Sequence, residues 1–153
     1  MALSLAELID PRQISLSLRA RTQADALKEI VDLLVTTGKI DNADRFLNKL
    51  QERERTNSTY AADGVAFPHA RTKLVDEIVV GIGRSETGIP WTVKGEMAHL
   101  IFLIAVPDRL ISDYLVVVGA IARITKDRPL RTLLLHADSV EDFIATLLGA
   151  PSI

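Results

Sequence analysis

The sequence offers three imidazoles and no thiol. With cysteine absent, histidine is the natural carrier of nucleophilic, proton-transfer or metal chemistry. A metal centre needs ligands at recognisable spacing, such as two histidines on adjacent helical turns. His69, His99 and His136 are far apart and sit in three different contexts, so no metal is expected. No Gly-x-Ser-x-Gly elbow occurs, which argues against a serine nucleophile. The eight glycines form no Gly-x-x-x-x-Gly-Lys run. A nucleotide-dependent kinase is therefore not expected, and nothing calls for a cofactor.

His69 differs from the other two. Pro68 fixes its own φ and restricts Phe67 to an extended form, so the backbone is stiff just before the ring. Gly64 allows a tight turn into the short apolar segment Val65-Ala66-Phe67, which can anchor the loop in a sheet. An anchored imidazole with an unperturbed pKa of about 6.5 is largely neutral at pH 7 and able to attack an electrophile. Arg53, Arg55, Arg71 and Lys73 lie near it in sequence and can balance an incoming phosphoryl group. These features alone also fit an ordinary surface turn beside a solvated basic face. His99 heads an apolar strand and reads as a hydrogen-bonded structural histidine. His136 ends a helical segment, where an imidazolium meets the helix dipole favourably, and no catalytic role is assigned to it.

The elements that must position His69 alternate between strand and helix. Ile14, Leu16 and Leu18 alternate with serines, as in a half-buried strand over 14–18. Thr22 and Asp25 form a capping pattern ahead of a helix carrying Leu27, Ile30, Val31 and Leu34, with Gly38 as its stop. A second helix is predicted from about Asn42 to Arg55, with Ala43, Phe46, Leu47 and Leu50 inward. Periodicity fails from Thr56 to Thr72, a long structured loop of the kind that often carries function. A strand is predicted over Glu77–Arg84, a turn at Gly88-Ile89-Pro90, and a fully buried strand over His99–Val106. Ser112 is placed as the cap of a helix reaching about Thr125. A short helix follows Pro129, and Ser139 with Asp142 caps a last one.

The chain has 153 residues, 48% hydrophobic and 25% charged, which suits one domain over 1–153 with one core and argues against disorder. A net charge of -2 argues against a nucleic-acid partner. The opening MALSLAELIDPR lacks the basic region and apolar run of a signal peptide, and the longest apolar stretches, Leu100–Pro107 and Leu115–Ala122, are too short to span a bilayer. With no cysteine, a soluble cytoplasmic protein is expected.

At the loop around His69 the residues resemble a known family. Arg53-Glu54, Ser58-Thr59 and Gly64-Val65-Ala66-Phe67-Pro68-His69 are similar, in order and interval, to the active-site block of the mannitol/fructose-type and nitrogen-regulatory enzyme IIA domains of the bacterial sugar phosphotransferase system. Leu5–Leu34 resembles the family's opening helix, strand and helix, and Leu100–Pro107 its Ala-x-Pro strand. The resemblance implies an α/β fold, a single-domain mixed β-sheet sandwiched between α-helices. It also implies a phosphocarrier: phospho-HPr transfers its phosphoryl group to the histidine corresponding to His69, through Nε2, and the group passes to an enzyme IIB. Arg53 corresponds to the arginine that holds the phosphate, and Thr59 falls in the polar part of the site. The partners implied are phospho-HPr and enzyme IIB, or a regulated protein, with the domain acting from the soluble side of a membrane permease.

One departure stands out. The family's second active-site histidine follows the Ala-x-Pro strand, and Tyr114 stands there instead. A phenol can donate a hydrogen bond to a phosphate oxygen or to His69, but it supplies no imidazole. Ala70 also replaces the glycine common after the histidine. The opening like the nitrogen-regulatory branch, with no fused IIB or IIC segment, favours a regulatory phosphocarrier. Two other readings stay open: a binding module on the same fold that has lost phosphotransfer, and a small-molecule enzyme using His69 as a general base.

Overall fold

The computed structural model describes residues 4–149; the two ends of the expected 1–153 domain lie outside them. The chain begins with α1 (Leu5–Leu8) and a 3-10 turn at Pro11–Gln13. It continues through β1 (Ile14–Ser15), α2 (Gln23–Thr36), α3 (Ala43–Thr56), β2 (Tyr60–Ala62), β3 (Val65–Ala66) and β4 (His69–Thr72). Then come β5 (Val79–Pro90), β6 (Met97–Pro107), α4 (Ile111–Lys126), α5 (Arg128–His136) and α6 (Val140–Gly149).

The sheet is mixed, in the order β1-β5-β6-β3-β2, with β4 also paired to β6. β6 is its spine, antiparallel to β5 and parallel to β3 and β4. From Leu100 to Val106 its side chains alternate between two cores. Ile101, Leu103 and Ala105 join the core beneath α2 and α3. Leu100, Phe102, Ile104 and Val106 join the core beneath α4, α5 and α6. A strand buried on both faces has no polar side to show, which is why it reads as one apolar run. The expected sheet between helices is present.

Two caps fall where the sequence places them: Thr22 accepts from the Asp25 N–H and Ser139 from Asp142. The structure adds a third at the expected start of α3, where Asn42 accepts from Arg45. Gly81 and Gly83 let α2 lie close on β5. A Cβ at Gly81 would stand 2.7 Å from Ile30 Cγ2, and one at Gly83 would stand 2.6 Å from Leu18 Cδ1.

Four local expectations are corrected. The ladder of the first strand is confined to Ile14–Ser15, and beyond it the segment is held to β5 through Arg84, whose carbonyl accepts from the Leu18 N–H at 2.9 Å and whose Nε donates to the Leu16 carbonyl at 3.1 Å. β5 runs on through Gly88-Ile89-Pro90. Gly88, at φ +87°, sits where the β5–β6 register shifts between Arg84 and Ile89, so the glycine serves a bulge and the reversal comes later, around Gly95. Ser112 is not a cap: α4 starts at Ile111 after Leu110, with no side-chain cap. The irregular stretch 56–72 holds three short strands. Asp63 and Gly64, both at positive φ, turn β2 into β3. Pro68 then separates β3 from β4, yet Val65 faces Leu100 and His69 faces Ile104, so the two strands keep one register along β6. Strands of two to four residues are too short to show a period.

Candidate functional site

His69 is the first residue of β4, and among the described residues no further strand covers the outer edge of β4. Along that edge a cleft of about 390 Å³ is lined by His69, Ala70 and Arg71 of β4, by Lys49, Glu52, Arg53 and Thr56 of α3, and by Ile111 at the start of α4. Three cations face one carboxylate, which makes the cleft a natural seat for an anion.

The tautomer of His69 follows from its neighbours. Nδ1 lies 2.9 Å from the Phe67 carbonyl oxygen. A carbonyl only accepts, so Nδ1 carries the proton and the neutral ring presents an unshared pair at Nε2. Burial is the main force lowering the pKa of His69 below its ordinary 6.5, with the Arg53 charge acting in the same direction; the Phe67 bond and Glu54 oppose them. The ring is therefore neutral at pH 7, with Nε2 free of any hydrogen bond among the described residues. It is held from behind by Tyr114, whose ring centroid is 4.9 Å away at an interplanar angle of 37°.

Tyr114 lies within the core under α4, yet its hydroxyl has no hydrogen-bond partner among the described residues. No buried side-chain oxygen is left unpaired there, so that hydroxyl reaches solvent. Burial raises its pKa, opposed by Arg53, so it remains a protonated donor at neutral pH. Arg53 stands in the last turn of α3. Its Nη1 donates to the Asn57 carbonyl at 2.6 Å, which fixes the guanidinium and leaves its other N–H groups without a partner among the described residues.

Thr59 occupies a different place. It is buried, its hydroxyl donates to Glu54 Oε1, its N–H donates to Glu54 Oε2 at 3.1 Å, and Trp91 Nε1 donates to Thr59 Oγ1 at 3.4 Å. Its carbonyl accepts from the Phe67 N–H at 3.0 Å. Thr59 thus ties the end of α3 to the strand that leads into His69, and it does not line the cleft. Arg55 faces another cleft, beside Trp91, and Lys73 lies past the end of β4, so neither joins His69. Sequence reasoning missed Lys49, Glu52 and Thr56. Their signal was available: positions 49, 52, 53 and 56 share one face of α3 at three- and four-residue spacing.

The other imidazoles are each tied through Nδ1 to a carbonyl, His99 to Ser85 at 3.0 Å and His136 to Thr132 at 2.9 Å. No helix among the described residues is long and apolar enough to cross a membrane.

Comparison with known proteins gives a consistent result. Residues 7–149 match the family described as phosphoenolpyruvate-dependent sugar phosphotransferase system, EIIA 2. The chain is 33% identical over 139 residues to the fructose-specific EIIA component of Haloferax volcanii, covering 88% of this chain and 90% of that protein. It is 27% identical over 148 residues to the fructose-specific EIIABC component of Bacillus subtilis, and that match spans 96% of this chain but 23% of the larger protein. The nitrogen regulatory protein IIA-Ntr of Neisseria meningitidis superposes with a TM-score of 0.86 at 24% identity, over 94% of this chain and 98% of that one, a likeness that bears on the fold.

Proposed function

The chain belongs to the EIIA 2 family of the phosphoenolpyruvate-dependent sugar phosphotransferase system, and from that premise we propose that it is a cytoplasmic phosphocarrier whose His69 receives and hands on a phosphoryl group. The observation that carries the reading is the fixed tautomer of His69: a neutral ring, Nδ1–H on the Phe67 carbonyl, and a free Nε2 facing a basic cleft.

Phospho-HPr is the proposed donor. The Nε2 pair attacks phosphorus while the donor's P–N bond breaks and its nitrogen leaves with the bonding pair. Positive character then develops on the His69 ring, and the Phe67 carbonyl stabilises it through Nδ1–H. The same positive character keeps the new P–N bond labile, so the group can move on to an enzyme IIB. Arg53, Lys49 and Arg71 offset the charge of the phosphoryl oxygens, and the Tyr114 hydroxyl is the proposed neutral donor to one of them. Thr59 enters as a residue that positions the loop. Transfer of this kind is mostly alignment and charge neutralisation.

Tyr114 favours a second outcome at the same site. A phosphohistidine beside a phenol, in place of a second imidazole, is suited to being held as a signal, changing affinity for a regulated protein through its added charge. The test is the rate at which purified phospho-HPr labels the protein, alone and as Arg53→Ala. The variant should be slower by about a hundredfold with its fold intact. Equal rates would remove Arg53 from the site.

A further inference from the structure

A second cleft, of about 670 Å³, opens at the other end of β6. His69 stands beside Ile104, whereas His99 lies five residues earlier on the same strand, about 17 Å away at strand rise. Arg21, Arg84, His99 and His136 line this cleft together with Glu86 and Asp138.

The cations here are held in place and lack carboxylate partners. Arg84 spends Nε on the Leu16 carbonyl at 3.1 Å, and Nη1 on the Leu134 and Ala137 carbonyls at 2.9 Å each, leaving Nη2 free. Arg21 Nη1 donates to Thr87 Oγ1 at 2.9 Å. Among the described residues neither guanidinium is within ion-pair distance of a carboxylate. Burial lowers the pKa of Arg84, against the pull of Asp138 and Glu86, as for a charge only partly compensated.

The imidazoles are equally prepared. His99 and His136 each commit Nδ1–H to a carbonyl and keep Nε2 for something else. The chain makes room for His99 with two left-handed glycines: a Cβ at Gly88 would stand 2.9 Å from its Cε1, and one at Gly64 would stand 3.2 Å from its Cδ2.

We propose that this cleft binds a small phosphate monoester bearing hydroxyl groups, a hexose monophosphate in size and chemistry. The free guanidinium N–H groups grip the phosphate. Glu86, Asp138 and the Nε2 atoms of the two histidines face the hydroxyls. The two carboxylates offset the two guanidiniums, so the cleft favours a ligand carrying both an anion and hydroxyl groups over a bare ion. The volume lies within the usual range for small-ligand sites. The site does not depend on phosphoryl transfer at His69.

The three histidines allow a direct test, because one lies in the first cleft and two in the second. Histidine side-chain NMR signals of the unphosphorylated protein are followed during titration with fructose 1-phosphate, fructose and inorganic phosphate. Fructose 1-phosphate should move His99 and His136 saturably, with a Kd of about 0.1–1 mM, and leave His69 in place. Fructose should move neither. Inorganic phosphate should bind at least about tenfold more weakly, and Arg21→Gln should weaken fructose 1-phosphate by about tenfold. Arg21 is exposed, so that variant should keep its fold. Movement of His69 alone, or stillness of His99 and His136 up to about 10 mM ligand, would overturn the proposal. So would equal affinity for fructose, or an undiminished Arg21→Gln. Equal affinity for inorganic phosphate would leave an adventitious ion only.

Discussion

Replacing Thr59 by valine separates two roles for this residue. The change keeps the β-branched shape and removes the hydroxyl. Glu54 then loses the donor on Oε1, though it keeps the Thr59 N–H at 3.1 Å and Gln23 Nε2 at 3.4 Å. Trp91 Nε1 loses its acceptor at 3.4 Å, a long bond of small worth. A lost hydrogen bond to a charged group costs about 1.5–3 kcal/mol, so a loss near 2 kcal/mol is expected. For a chain of this length that is a fall in Tm of roughly 4–8 °C. Thr59→Ser, which retains the hydroxyl, should fall by less than half as much. The assay is urea denaturation of the two variants and the parent, read by fluorescence of Trp91, followed by the labelling rate from phospho-HPr at a temperature where all are folded. A positioning role predicts reduced stability with a labelling rate within about threefold of the parent. A valine variant of unchanged stability that labels a hundredfold more slowly would refute the placement of Thr59 behind Glu54.

Further expectations are direct. Because burial lowers the pKa of His69, its NMR titration midpoint should lie below 6.5 and its readiness to accept phosphate should persist as pH falls to that value; a midpoint at or above 6.5 would contradict the burial argument. The sign for stability follows: the folded state resists protonation, so this residue's contribution is present above 6.5 and is lost as pH falls through the lower folded pKa. Tyr114→Phe keeps the ring against His69 and removes only the hydroxyl, so labelling should slow by about tenfold with stability little changed; an unaffected rate would restrict Tyr114 to packing. Gly83→Ala drives a methyl to within 2.6 Å of Leu18 and 2.8 Å of Ile30, and should cost about 1–3 kcal/mol by denaturation; a neutral result would mean that α2 moves away freely.

Much of the fold was legible because its helices follow simple rules. Phe46, Leu47 and Leu50 repeat at helical spacing and are buried, and Thr22, Asn42 and Ser139 cap where hydroxyl and amide side chains precede a periodic run. The strands around the site were less legible. β3 and β4 are stabilised by pairing with β6, a partner some 35 residues away in register, and nothing local in Val65–Thr72 announces it. The bulge at Gly88 looks like a turn because both need a left-handed glycine. At the site, His69 and Arg53 line one cleft. The local motif did not distinguish Thr59 as a wall from Thr59 as a brace, since that depends on which face of the α3 terminus carries Glu54. Arg55, one residue beyond Glu54, points to a separate cleft for the same reason.

The most direct measurement is the intact mass of the protein after incubation with phosphoenolpyruvate, enzyme I and HPr, beside a His69→Ala control. The expected result is a gain of one phosphate, about 80 Da, labile in acid and absent from the control. No gain, with the same enzyme I and HPr shown to label another acceptor, would rule out His69 as a phosphate acceptor and leave a binding module built on the phosphocarrier fold.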